Sequence, residues 1–137
     1  MTFIDTSALY AVLDRDDDHH EAARSTWQRL LRSSATLVTH NYVLIETSAL
    51  AQHRLGLPAL GAIEEFLIPV LRVHWITQAH HSTAVAMVLT AQRKKLSIVD
   101  CASFLIMREQ GISEAFTFDK HFGEQGFGIV PSARNRD

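Results

Sequence analysis

Acidic residues at the ends of apolar segments are the part of this sequence that could do chemistry. Asp5 follows the short apolar run Thr2-Phe3-Ile4 and is followed by two hydroxyls, Thr6 and Ser7. Asp119 closes Ala115-Phe116-Thr117-Phe118, with Thr117 two places before it. Asp100 stands after Ser97-Ile98-Val99 at the entrance to a strongly apolar stretch, and Glu46 lies among Leu44, Ile45 and Ala49. Carboxylates at the C-terminal ends of strands occupy the edge where open α/β sheets bind their ligands. Gathered in one place they would repel one another and shift each other's ionisation. A hard divalent cation relieves that conflict. Magnesium takes oxygen ligands, keeps several waters and uses one or two carboxylates directly, which leaves the other acids to orient an attacking water. Such a centre suits phosphodiester hydrolysis. Thr6, Ser7 and Thr117 are placed to hydrogen-bond to those carboxylates.

Each of these residues has a plainer reading as well. Asp5 and Asp100 are good helix caps. Glu46 could be an ordinary surface charge, although an acid among apolar neighbours is costly to bury without a partner. The three hydroxyls could serve only as caps and turn residues. The recurrence of strand, hydroxyl and carboxylate at Asp5 and again at Asp119 is what favours a shared site.

The elements that must position these acids follow from periodicity. Strands are expected at Thr2–Ile4, Ala35–Thr39, Val73–Thr77, Ala115–Phe118 and Ile129–Val130. Between them run helical patterns. Ala23, Trp27, Leu30 and Leu31 form one apolar face, and Val43, Leu44, Thr47, Leu50 and Ala51 form another. Asn41 is the expected cap of that second helix. Gly56-Leu57-Pro58 ends it, and Pro69 is expected to end or kink the next near Ile68. A further helix opens at His80-His81, and one after Asp100 closes at Gly111. Alternating strands and helices imply an α/β fold whose central sheet is mainly parallel, with about five strands flanked by helices. Right-handed crossovers then bring every strand C-terminus to one edge, where Asp5, Glu46, Asp100 and Asp119 could meet. Residues 1–131 are expected to form a single domain, and 132–137 a short mobile tail.

Composition narrows the function classes. The 137 residues carry a net charge of −2, so the broad basic surplus of a typical nucleic-acid binder is missing. Binding to a phosphate backbone would need a bound cation or a local patch. Arg93-Lys94-Lys95 is the densest basic run, and it reads as a solvated helix end. The single Cys101 cannot form an internal disulfide and reads as a small buried apolar residue, which fits a reducing cytoplasm. No signal peptide or membrane span is apparent. Asp14 to Asp18 lack the glycine and distal glutamate of a calcium loop. Adjacent histidines, as in His19-His20, point in different directions on a helix and do not make a zinc pair.

With these residues in view, the chain resembles the PIN-domain ribonucleases, and in particular the VapC-type toxins of toxin–antitoxin pairs. The resemblance rests on Ile4-Asp5-Thr6-Ser7-Ala8-Leu9, Glu46 in an apolar helix, Ser97-Ile98-Val99-Asp100 and Phe116-Thr117-Phe118-Asp119-Lys120-His121-Phe122, and it extends to about Val130. It implies a three-layer PIN-like domain and an endoribonuclease that depends on magnesium or manganese. Asp5, Glu46, Asp100 and Asp119 would be the acidic set, with Asp5 and Asp100 as direct metal ligands. It also implies an RNA substrate, a homodimer and a cognate antitoxin protein. The alternatives are a PIN-like RNA-binding module without catalysis and a housekeeping PIN nuclease in RNA processing. A phospho-acceptor receiver domain would need an acidic neighbour beside Asp5. A haloacid-dehalogenase-type phosphatase would need an aspartate where Ser7 stands.

Overall fold

The computed structural model describes residues 1–132. In chain order its elements are β1 (Thr2–Ile4), α1 (Thr6–Leu13), α2 (His20–Arg32), β2 (Leu37–His40), α3 (Asn41–Leu55), α4 (Leu57–Ala62), β3 (Arg72–His74), α5 (Gln78–Ala91), α6 (Ile98–Gln110), β4 (Glu114–Phe116), α7 (Lys120–Glu124) and β5 (Gly128–Val130). The helix begun by α4 widens into a π turn over Ile63–Leu67 and tightens to a 3-10 turn over Ile68–Val70. Pro69 sits in that last turn, as its missing N–H and fixed φ demand. Of the tail expected at 132–137, residues 133–137 lie outside the described residues.

The five strands form one sheet in the order β3-β2-β1-β4-β5. Every pairing is parallel. The sheet expected as mainly parallel is therefore wholly so. β1 is the central strand, and all three of its residues are buried, as a strand covered by helices on both faces requires. From β1 the chain steps outward through β2 to β3, then returns past β1 to β4 and β5. Right-handed crossovers place the helices of the outward and return paths on opposite faces, giving three layers. Strand order reverses between β1 and β4. That reversal opens a crevice at the C-terminal ends of these two strands, the position where open parallel sheets bind ligands. Asp5 lies at the end of β1, and its N–H still pairs with the Phe116 carbonyl of β4 at 3.0 Å.

An aromatic cluster holds the layers together. Phe3, Phe104, Phe116 and Phe122 are essentially fully buried. The Phe122 ring lies 6.1 Å from Phe3 and 5.1 Å from Phe104. Burying a side chain of this size contributes roughly 1.5–3 kcal/mol. The packing ties α7 to the central strand and to α6, the two elements that carry Asp5 and Asp100. Ala23, Thr26, Trp27 and Leu30 make the buried face of α2, whereas Leu31, expected on that face, is 46% exposed.

Two expected helix starts are corrected. Asn41 does not cap α3; the buried His40 does, its Nδ1 accepting from the Tyr42 and Val43 N–H groups at 3.2 and 3.3 Å. Asn41 instead accepts from the Ile76 N–H at 2.6 Å, holding the chain that leaves β3. Ser103 donates to the Val99 carbonyl at 2.9 Å, so the His40 Nε2–H donates to the Ser103 hydroxyl at 2.8 Å. Burial pushes His40 down to a pKa of about 3, which keeps it the neutral cap this geometry needs. His40 thereby joins the start of α3, which carries Glu46, to α6, which carries Asp100. The start of α5 also moves: Thr77 is the cap and His80 closes a capping box with it, so the helix begins before the histidine pair.

Candidate active site

The sheet brings the four acids to one cleft. Asp5, Glu46, Asp100 and Asp119 line it together with Thr6, Ser7, Leu50, Lys95 and Ser97. Four separate segments supply the carboxylates: the β1–α1 junction, α3, the first turn of α6 and the β4–α7 junction.

Asp5 occupies the capping position of α1, but its side chain makes no capping hydrogen bond. Its Oδ2 accepts from the Ser7 and Thr117 hydroxyls, both at 2.8 Å. Those hydroxyls are themselves fixed, because Ser7 Oγ accepts from the Phe118 N–H and Thr117 Oγ1 from the Asp119 N–H, each at 2.9 Å. The plain capping role is thus excluded for the Asp5 side chain, and the hydroxyls of Ser7 and Thr117 are spent on orienting it. The Thr6 hydroxyl is buried, lines the cleft and has no hydrogen-bond partner among the described residues. Asp5 is 3% exposed. Burial pushes its pKa up to about 7, the Ser7 and Thr117 hydroxyls oppose that rise, and the charges of Asp100 and Asp119 add to it.

Asp100 serves two purposes. Ser97, not Asp100, is the cap of α6; its hydroxyl accepts from the Asp100 N–H, and Asp100 Oδ2 accepts from the Ser97 N–H at 3.1 Å in return. The capping box locks the carboxyl in the cleft. Burial raises the Asp100 pKa, and the nearby Asp119 raises it further. Asp119 caps α7 through Oδ1, which accepts from the His121 N–H at 2.8 Å. Glu46 is half-buried beside Leu50 and has no ion pair among the described residues.

Lys95 in the cleft and His121 beside two of its acids were given no role from sequence. Lys95 belongs to the basic run read as a solvated helix end, but α5 stops at Ala91 and Lys95 reaches the rim of the acidic cleft. Arg93 pairs with Glu124 at 2.9 Å. His121 is buried, with Nδ1 3.0 Å from Asp119 Oδ1 and 3.7 Å from Asp100 Oδ2. A histidine two residues beyond a candidate acid was the available signal for it. Cys101, next to Asp100, is buried as expected.

This donor set fits a hard dication. Burial and neighbouring carboxylates raise the pKa of both Asp5 and Asp100, further acids face them, and a cation would supply the missing counter-charge.

Comparisons with known proteins show the family and the fold. Residues 2–128 match the family model for the PIN domain. The chain is 33% identical over 128 residues to the 23S rRNA-specific endonuclease VapC20 of Mycobacterium tuberculosis, in both strain CDC 1551 and strain H37Rv, covering 93% of this chain and 95% of the relative. It also superposes on the crystal structure of Mycobacterium tuberculosis VapC20, described as a sarcin-ricin loop cleaving toxin, with a TM-score of 0.82 and 32% identity over 93% of this chain and 96% of that one.

Proposed function

Because this chain belongs to the PIN-domain family, we propose that it is a VapC-type endoribonuclease that hydrolyses RNA phosphodiester bonds with a bound divalent cation. The observation that carries this reading is the meeting of Asp5, Glu46, Asp100 and Asp119 in one cleft at the strand-order reversal. Asp5 and Asp100 would hold magnesium or manganese. Such a cation polarises the scissile phosphoryl group, makes water a stronger nucleophile and offsets charge on the leaving oxygen. The chain's own groups do the rest. Ser7 and Thr117 fix the Asp5 carboxylate, and the capping box fixes Asp100. Glu46 and Asp119 orient the attacking water and accept its proton. Lys95 at the rim meets the phosphate backbone, which answers the absence of a basic surplus. A non-catalytic RNA-binding role is less well supported, because every acid of the set is present and faces the cleft.

VapC20 is named for 23S rRNA and its sarcin-ricin loop, so that loop is the first substrate to try. With magnesium or manganese the purified chain is expected to cut the loop or another RNA internally, and EDTA to stop it. Cleavage that persists in EDTA would contradict the cation's role, and no cleavage of total RNA with either ion would contradict the activity. We also assign it an antitoxin partner, a homodimeric state and a cytoplasmic location. An apolar groove lined by Tyr42, Leu44, Ile45, Ile68, Val73 and Trp75, with Trp75 73% exposed, supports a protein partner. No helix among the described residues is long and apolar enough to cross a membrane.

A further inference from the structure

We propose that His121 supplies a nitrogen ligand, through Nδ1, to the cation of the acidic cleft, and that this ligand biases the site toward manganese over magnesium. The inference rests on the reading of the cleft as a cation site and extends it beyond the carboxylates.

The His121 side chain is only 6% exposed, and its Nδ1 is buried with no hydrogen-bond partner among the described residues. Asp119 Oδ1 is 3.0 Å away but outside hydrogen-bond alignment. Leaving such a buried group unsatisfied is costly, so something is expected to meet it. The imidazole has little freedom to turn elsewhere. The backbone N–H of His121 is bonded to Asp119, and the adjacent Phe122 is locked between Phe3 and Phe104.

What faces Nδ1 is carboxylate oxygen. One ligand atom each from Asp100, Asp119 and His121 lie within 4.8 Å of one another. Ligands about 2.1 Å from a common ion are separated by at most about 4.2 Å. The distances of 3.0 and 3.7 Å from Nδ1 to the two carboxylates fall inside that limit. An ion held by Asp100 can therefore also meet Nδ1 with little movement, with Asp119 close enough to orient water bound to it. Magnesium favours oxygen throughout, whereas imidazole nitrogen suits first-row transition ions. Replacing one oxygen by Nδ1 favours manganese at the expense of magnesium.

The test uses the full chain and the metal alone, without RNA. Pulsed EPR of the manganese-loaded protein is expected to show the strong coupling of a directly bonded nitrogen. His121→Asn is expected to abolish that coupling and to reduce the preference for manganese over magnesium, read by competition, about tenfold. A manganese signal with oxygen surroundings only, in the unaltered chain, overturns the proposal without relying on a variant that folds. Asp100→Asn separates the two levels. If it removes manganese binding while the unaltered chain shows no nitrogen coupling, the cation site stands and the His121 role falls. If the unaltered chain binds no manganese, both fall.

Discussion

Asp100→Asn is expected to lower RNA cleavage about a thousandfold or more, equivalent to ~4 kcal/mol of lost transition-state stabilisation, while the protein stays folded. The two halves of this result have separate causes. An asparagine oxygen can still accept from the Ser97 N–H, so the capping box that starts α6 survives. The substitution also removes one negative charge from a buried group crowded by Asp119. Melting temperature should hold or rise. What is lost is the anionic ligand, which a neutral amide replaces poorly for a hard cation. Single-turnover cleavage and thermal melting of the same preparation check the pair. Undiminished cleavage would reject the assignment of Asp100, and collapse of the fold would reject the account of its environment.

The second large effect concerns Asp5 and pH. Its pKa is about 7 in the folded chain against 3.8 for an unperturbed aspartate. A raised folded-state pKa means that the folded protein binds more protons than the unfolded chain between those values. The stability this contributes is fully present below about pH 4 and is lost as pH rises through 7, a swing on the order of 4 kcal/mol. His40 acts in the opposite sense. Its pKa is depressed to about 3 from 6.5, so its contribution is present above 6.5 and lost as pH falls through 3. The total pH profile therefore mixes both, and the difference between the unaltered chain and Asp5→Asn isolates Asp5. In chelator, Asp5→Asn is expected to be the more stable of the two at pH 8, with the advantage vanishing near pH 4. Adding manganese should stabilise the unaltered chain far more at pH 8 than at pH 5, because the ion displaces the proton. Urea melts across that range read both effects; a difference independent of pH would contradict the buried, charge-crowded setting of Asp5.

Much of this architecture was legible in the residues. The apolar run before Asp5 and the aromatic alternation before Asp119 announced β1 and β4, and the alternation of strands with helical patterns announced a parallel sheet. Once the sheet is parallel, every strand ends at the same edge, which brings the residues after β1 and β4, Asp5 and Asp119, to one side of the molecule. What local patterns left open depended on contacts distant in sequence. Whether Asp5 capped a helix or faced a cleft was settled by the hydroxyl of Thr117, 112 residues away along the chain. The capping role of His40 was hidden because imidazole is an uncommon cap, and its partner Ser103 is 63 residues distant. Asn41, the conventional choice, was drawn off by the Ile76 amide. Lys95 gave no sign of approaching acids, because it was read as part of a helix end, whereas α5 stops at Ala91 and Lys95 lies at the cleft. Leu31 fits the apolar spacing of α2 and is nonetheless half exposed, because spacing along a helix does not show how far the tertiary contact extends around it.

The central claim is that acids far apart in sequence share one cation. Anomalous diffraction from crystals soaked in manganese measures that directly. A single strong peak is expected in the cleft, about 2.0–2.2 Å from a carboxylate oxygen of Asp5 and of Asp100. A peak elsewhere, or none at these two residues in crystals whose protein cleaves RNA with manganese, would contradict it.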